Sequence, residues 1–206
     1  PALLQRAMLT GIRRLGLGCL PWTADLQNWR ARIGFLRGLY PDEGWPDLSD
    51  AALLDGLDDW LMSFLAGMAR RADLARLDLS AALAALLPWP LPQRLDELAP
   101  AALTVPSGAR RPIDYAAEGG PLLRVRLQEV FGLNETLRLA GGAVPLTLAL
   151  LSPADRPLAL TADLDSFWRN AYPQVRAEMR GRYPRHDWPE DPRSATPHRG
   201  SKRRPR

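Results

Sequence analysis

The sequence predicts an α+β protein in which an N-terminal helical layer is followed by a small mixed domain with short strand pairs and a closing C-terminal helix. Apolar residues recur at steps of three and four through residues 1–98, which is typical of amphipathic helices. Short alternating runs bounded by glycine and proline replace this pattern from residue 99 onward. Residues 167–192 are dense in arginine and aromatic side chains, and we call them the closing segment. This change of pattern predicts helices in the first part of the chain and strands in the second.

The helical layer, residues 1–98, contains three predicted amphipathic helices and two shorter ones. The second helix spans Trp22 to Tyr40, and the third follows an N-cap at Ser49. A shorter helix has Ser80 as its cap, and another opens at Pro92. The face of the second helix away from its apolar stripe carries three arginines: Arg30, Arg32 and Arg37.

Residues 99–192 predict two short antiparallel strand pairs. The first pair lies on either side of a turn at Pro106-Ser107-Gly108, since alternating apolar residues precede and follow it. The second pair covers 144–150 and 158–160, around a turn that begins at Ser152. Together with a final helix, these pairs predict a compact α+β domain.

Residues 122–133 fit two interpretations. Leu123, Val125 and Leu127 alternate as a strand does, but a helical stripe runs through the same residues. We favour the helix because Pro121 and Gly132 are suitable residues for its two ends. A strand followed by one helical turn is the alternative, and it would make the domain an OB-like barrel of five strands.

The closing segment predicts a helix followed by an extended strap. Asp163 or Asp165 caps this helix, and a buried stripe of Trp168, Tyr172, Val175 and Met179 follows. Its arginines occupy another face, and Gly181 is predicted to end it. Three X-Pro pairs between residues 183 and 192 force extended backbone, so this strap lies across the domain. The rings of Tyr183 and Trp188 could stack on single-stranded bases or on arginines of the domain itself.

Positive charge is concentrated at the end of the chain. Residues 193–206 carry six of the 27 basic residues and no acid, which leaves 21 bases against 23 acids in residues 1–192. With no large apolar side chain to bury, the run 193–206 is predicted to be a disordered basic tail. The candidate contacts for nucleic acid or a partner are therefore the arginines of the closing segment and the bases of the tail: Arg169, Arg176, Arg180, Arg182, Arg185, Lys202, Arg203 and Arg204.

Composition excludes several classes of site and protein. One cysteine and two histidines cannot form an ordinary zinc tetrad, and Lys202, as the only lysine, rules out a phosphate-binding loop. The acidic pairs at Asp58 and Asp96 lack a neighbouring nucleophile or base, so no catalytic or metal residue is assigned. No apolar run reaches about 18 residues, and the start does not resemble a signal peptide. We expect a cytoplasmic protein, and the initial Pro1 suggests a piece of a longer chain.

Several long blocks resemble one family. They are Glu43 to Asp50, Leu95 to Pro100, Val105 to Gly108, Val125 to Gly132, Leu151 to Ala154 and Gly181 to His186. In these blocks the chain is similar to the C-terminal region of the bacterial HrpB helicases, although Leu137 stands where that family usually has proline. The resemblance implies a parent that is an ATP-dependent RNA helicase of the DExH group, with upstream motor domains that bind ATP and magnesium.

Three functions follow from these observations. The first is an accessory domain of such a helicase, which docks protein or RNA and has no catalysis of its own. The second is a stand-alone nucleic-acid-binding module that uses the basic tail and the arginine face of the final helix. The third is a separate enzyme, which the missing catalytic residues disfavour. We therefore expect the accessory domain, with the motor domains as partners and no insertion into a membrane.

Overall fold

A computed structural model describes residues 2–200 of the chain. The chain divides into two compact units, and the division falls between Ala99 and Pro100. The first unit is helical and the second combines a mixed sheet with the closing segment. The fold is therefore α+β.

The first unit contains six α-helices in its described residues, and they are linked by short turns. They are α1 Ala2–Leu15, α2 Ala24–Leu39, α3 Asp50–Asp55, α4 Leu57–Leu61, α5 Leu79–Ala84 and α6 Leu91–Leu98. The hydroxyl of Ser49 accepts from the N–H of Ala52, which confirms the predicted cap of the third helix. That helix is shorter than predicted because Gly56 separates it from α4. The cap of α5 is Asp78 and not Ser80, since the Asp78 carboxylate accepts from the N–H of Ala81.

Arg32 on α2 lies off the apolar stripe of that helix, yet it is buried. Its guanidinium donates to the carbonyl oxygens of Ala99 at 2.6 Å and Leu95 at 3.3 Å. It also forms an ion pair with Asp96 at 2.6 Å, and the residue is only 5% exposed. Arg32 thus ties α2 to the C-terminal end of α6, where the last carbonyl groups of a helix lack partners.

The second unit contains a five-stranded sheet and a small ribbon. Its strands are β1 Ala102–Thr104, β2 Arg110–Asp114, β3 Leu122–Arg126, β4 Arg138–Leu139, β5 Val144–Pro145, β6 Thr147–Leu151 and β7 Pro157–Thr161. The strand order of the large sheet is β1-β2-β3-β6-β7, and β4 pairs with β5 separately. The β3–β6 pair is parallel, whereas β1–β2, β2–β3 and β6–β7 are antiparallel. The two predicted strand pairs correspond to β1–β2 and β6–β7.

The helix that we favoured for residues 122–133 is wrong. Residues Leu122–Arg126 form strand β3, and a 3-10 turn follows at Leu127–Val130. The parallel partner β6 decides the outcome, because it pairs with all five residues of β3, from Leu122 to Arg126. The strands form an open sheet over the described residues, so the OB-like barrel is also wrong.

The closing segment begins as a helix with an irregular turn. Helix α7, Leu164–Ser166, is capped by the Asp163 side chain, which accepts from the N–H of Ser166. A π turn, Phe167–Ala171, leads into helix α8, Tyr172–Arg182. Pro173 explains this wider turn because it has no N–H to continue the α-helical ladder. Gly181 lies inside α8 and does not end it.

Candidate nucleic-acid interface

An aromatic cluster anchors the closing segment on the second unit. Trp168 lies 6.2 Å from the ring of Phe131 and 5.4 Å from that of Tyr172, and all three residues are buried. The Trp168 indole N–H donates to the carbonyl oxygen of Leu133 at 2.8 Å. Burial raises the pKa of the Tyr172 hydroxyl, which donates to the carbonyl oxygen of Pro189 at 2.8 Å. The predicted apolar stripe therefore forms the core of this unit, with Val175 only half-buried.

The strap, residues 183–192, is fixed to α8 by polar contacts as well. The Trp188 indole N–H donates to the carbonyl oxygen of Tyr183 at 3.0 Å, and Trp188 is buried. Its ring is therefore not available for stacking on bases. The Arg176 guanidinium donates to the carbonyl oxygen of Trp188 at 2.9 Å and pairs with Glu190 at 3.2 Å. Arg176 is thus a strut between helix and strap and not a free cation.

The eight candidate contact residues separate into three groups. Arg169 pairs with Asp165 at 2.5 Å, and Arg176 pairs with Glu190 as described. Arg180, Arg182 and Arg185 are exposed, and their side chains form no ion pair within residues 2–200. We call these three the α8 arginine patch. The remaining candidates lie outside the described residues: Lys202, Arg203 and Arg204.

Residues 193–200, the first part of the predicted basic tail, contact the second unit. The Arg193 guanidinium pairs with Asp165, and the His198 N–H donates to the carbonyl oxygen of Gln128 at 3.1 Å. The His198 ring also lies 6.2 Å from that of Phe131. The neighbouring elements offer carbonyl and carboxylate partners to these small and polar residues. Sequence composition does not reveal such partners.

A small pocket lies beside the patch, between the β6–β7 turn and α8. It has a volume of about 160 Å³ and is lined by residues from both elements, among them Ser152, Arg156, Glu178, Arg182 and Tyr183. Ser152 is 1% exposed, and its hydroxyl lies 3.4 Å from that of Tyr183. Sequence reasoning missed Ser152 and Arg156, because nothing in a turn of this composition indicates that α8 will lie against it.

Asp155 and His186 of the second unit both have lowered pKa values. Arg126 binds both carboxylate oxygens of Asp155 at 2.7 Å, and this contact lowers the pKa of Asp155. Burial lowers the pKa of His186, and the charges of His198 and Arg126 lower it further. The carbonyl of Gly200 acts in the opposite direction. His186 is therefore held toward its neutral form.

Residues 2–200 do not fit an ATP–magnesium site. Within them, no three His, Cys, Asp or Glu side chains are grouped so that they could hold a metal ion. They also contain no lysine, the side chain that a phosphate-binding loop requires. In the same described part of the chain, every helix is too short or too polar to span a bilayer.

Comparison with known proteins places the chain in a class. A family model described as ATP-dependent helicase C-terminal matches residues 60–192. The fold and this match define a helicase C-terminal domain. The ATP-dependent RNA helicase HrpB of Escherichia coli (strain K12) is 45% identical over 200 residues, which are 97% of this chain and 25% of that protein. The chain belongs to the HrpB family of ATP-dependent helicases.

Two solved structures support the same assignment. The crystal structure of the E. coli DExH-box NTPase HrpB matches with a TM-score of 0.89 and 45% identity, over 95% of this chain and 24% of that one. The crystal structure of the Escherichia coli DEAH/RHA helicase HrpB matches with a TM-score of 0.75 and 44% identity, over 90% of this chain and 23% of that one. The chain thus spans about a quarter of the length of these relatives.

Proposed function

We propose that this chain is the accessory C-terminal domain of a cytoplasmic ATP-dependent RNA helicase, and that it docks RNA without catalysing a reaction itself. The observation that carries the proposal is the α8 arginine patch. Two of the five arginines of the closing segment, Arg169 and Arg176, pair with carboxylates, whereas Arg180, Arg182 and Arg185 are exposed and form no ion pair within residues 2–200. Unpaired guanidinium groups retain their full attraction for phosphates.

The position of the patch supports docking and not hydrolysis. Its arginines lie where α8 ends and the strap begins, on a backbone fixed by the contacts of Tyr172, Arg176 and Trp188. Exposed cations on a fixed backbone are suited to phosphate contacts, which position a nucleic acid without reading its sequence. ATP and magnesium would act in the upstream motor domains of the parent, because residues 2–200 contain neither a lysine nor a group of side chains that could hold a metal ion.

A second partner, the motor region itself, is favoured by a different surface. A shallow groove of about 420 Å³ on one face of the sheet is lined mainly by aliphatic side chains, including Leu122, Ala149, Leu151 and Leu160. Leu160 is 71% exposed. We assign this face to the motor domains, because the E. coli relative, of which the chain covers 25%, has most of its length outside the matched region.

The RNA proposal is tested by the salt dependence of binding. We expect Arg180→Ser/Arg185→Ser to bind a short labelled single-stranded RNA more weakly, because two phosphate contacts are lost. The slope of log K against log salt should fall by roughly 1.4, since each contact to a single strand contributes about 0.7. Fluorescence anisotropy over a salt series measures this slope.

A matched control removes the same charge elsewhere. Arg14→Ser/Arg110→Ser deletes two exposed arginines that form no ion pair within residues 2–200 and should leave the slope unchanged. A chain that ends at Gly200 lacks Lys202, Arg203 and Arg204 and measures the contribution of the basic tail. Equal slopes for the two double variants, or no RNA binding by the chain, would overturn the proposal and favour the apolar groove as the docking surface.

A further inference from the structure

The pocket beside the patch contains two arginines that have no carboxylate partner. Arg156 comes from the turn between β6 and β7, and Arg182 from the last turn of α8. Neither forms an ion pair within the described chain, residues 2–200. Two arginines that line one cavity without a carboxylate partner make the cavity favourable for an anion.

The turn that carries Arg156 is rigid. The Ser152 hydroxyl accepts from the N–H of Arg156 at 3.1 Å, and the Ser152 N–H donates to the carbonyl oxygen of Arg156 at 2.8 Å. The Nε and Nη2 groups of Arg126 each donate a hydrogen bond to one carboxylate oxygen of Asp155. These bonds fix the backbone at Arg156, as a preformed site requires.

The opposite wall of the pocket is equally fixed. The Tyr183 N–H donates to the carbonyl oxygen of Met179 at 2.8 Å, and its own carbonyl accepts from the indole of Trp188 at 3.0 Å. These bonds direct the Tyr183 hydroxyl to within 3.4 Å of the Ser152 hydroxyl. The cavity thus presents two hydroxyl groups and two guanidinium groups, all of which can donate to an anion.

Size and charge specify the ligand. A cavity of about 160 Å³ is smaller than the roughly 300–1,000 Å³ of a pocket for a whole small molecule, so it fits one functional group. Glu178 is the only carboxylate among the described lining residues, and two guanidinium groups outweigh it. Arginine pairs match the geometry of phosphate oxygens.

We propose that this pocket binds a single phosphate group of an RNA strand, with Arg156 and Arg182 on its oxygens and Ser152 and Tyr183 as neutral donors. The RNA source of the phosphate rests on the proposed docking function, whereas the anion site itself does not. The phosphate can be an internal phosphodiester or the terminal monophosphate of a strand. In either case the base and sugar remain outside the pocket, and Arg182 belongs to both the pocket and the α8 arginine patch.

The experiment uses the 206-residue chain and three probes: inorganic phosphate, a short RNA with a 5′-hydroxyl, and the same RNA with a 5′-phosphate. Calorimetric titration should show that Arg156→Gln and Arg182→Gln each weaken phosphate binding about tenfold or more, because each removes a charge-assisted contact. Glu178→Gln should strengthen binding, since it removes the opposing charge. Arg110→Gln, an exposed and unpaired arginine of β2, is the control and should change nothing.

The outcomes separate the pocket from the docking function. Unchanged phosphate affinity in both arginine variants, with thermal melts like that of the parent chain, overturns the pocket. RNA binding that survives Arg156→Gln overturns the phosphate subsite but leaves the patch intact. Phosphate binding without RNA binding supports the pocket and overturns the docking function. A preference for the 5′-phosphorylated RNA that is lost in Arg156→Gln identifies the terminal phosphate, and equal losses for both RNAs identify a phosphodiester.

Discussion

The first part of the closing segment, Phe167 to Met179, and its continuation, Arg180 to Arg185, use the same residue types in opposite ways. In the first part, Trp168 and Tyr172 are buried and Arg176 is bonded to the strap. In the continuation, Arg180, Arg182 and Arg185 are exposed and have no ion pair in the described chain. The contrast teaches that arginine content does not indicate a binding surface. Only the arginines without partners are available to a ligand.

The largest expected effect that tests this contrast is a loss of stability when the Trp168 side chain is removed. Trp168→Ala should lower the free energy of unfolding by about 3–5 kcal/mol, because it empties the space between Phe131, Phe167 and Tyr172 and removes the bond to Leu133. Trp89→Ala is the matched control: Trp89 is 79% exposed, so this change should cost less than about 0.5 kcal/mol. Chemical denaturation measures both, and similar costs for the two variants would mean that the aromatic cluster is not a core.

An intermediate effect separates the strut from the patch. Arg176→Ser should cost about 1–2 kcal/mol, because the carbonyl of Trp188 and the carboxylate of Glu190 both lose their donor. Arg180→Ser should change stability by less than about 0.5 kcal/mol, since it breaks no contact. Thermal melts, combined with limited proteolysis of the strap, provide the measurement. If Arg180→Ser destabilised the chain as much as Arg176→Ser, the patch would be structural.

The smallest effect is a pH dependence at the strap. Burial, followed by the charges of His198 and Arg126, lowers the pKa of His186 below its usual value of 6.5 in the folded chain. The unfolded chain therefore binds the proton more readily, and stability should decrease as pH falls below about 6.5 toward the lower folded value. His186→Gln should flatten this part of the stability profile. An unchanged slope between about pH 7 and pH 5 would contradict the prediction.

Local signals predicted much of the fold. Ser49 and Asp163 were identified as caps because a cap depends only on residues within one turn, and β1–β2 and β6–β7 were identified because their turns are short. Strand β3 was missed because its parallel partner β6 lies beyond an intervening ribbon, and a local window does not include it. The HrpB family was recognised from long matching blocks, which the family comparison confirms.

The candidate site was only partly predictable for a related reason. Arg182 and Arg185 could be named from the sequence, but whether an arginine is free depends on distant carboxylates. Arg32 and Arg176 have such partners, Asp96 and Glu190, and the sequence does not indicate them. Arg156 has no such partner within residues 2–200, and its position in a turn gives no sign of a site. The pocket was missed because its two walls come from elements that are separated in sequence.

Residues 192–198 contact residues 128–132 in the middle of the second unit, and this order of assembly affects synthesis. The N–H of Gly132 donates to the carbonyl of Pro192 at 2.9 Å, and that of His198 donates to the carbonyl of Gln128. A ribosome makes Phe131 and strand β3 long before it makes the residues that cover them. At about 5–20 residues per second, the interval is on the order of several seconds. The half-finished unit therefore carries an uncovered apolar surface during translation, and it is the stage at which a chaperone would have the most to bind.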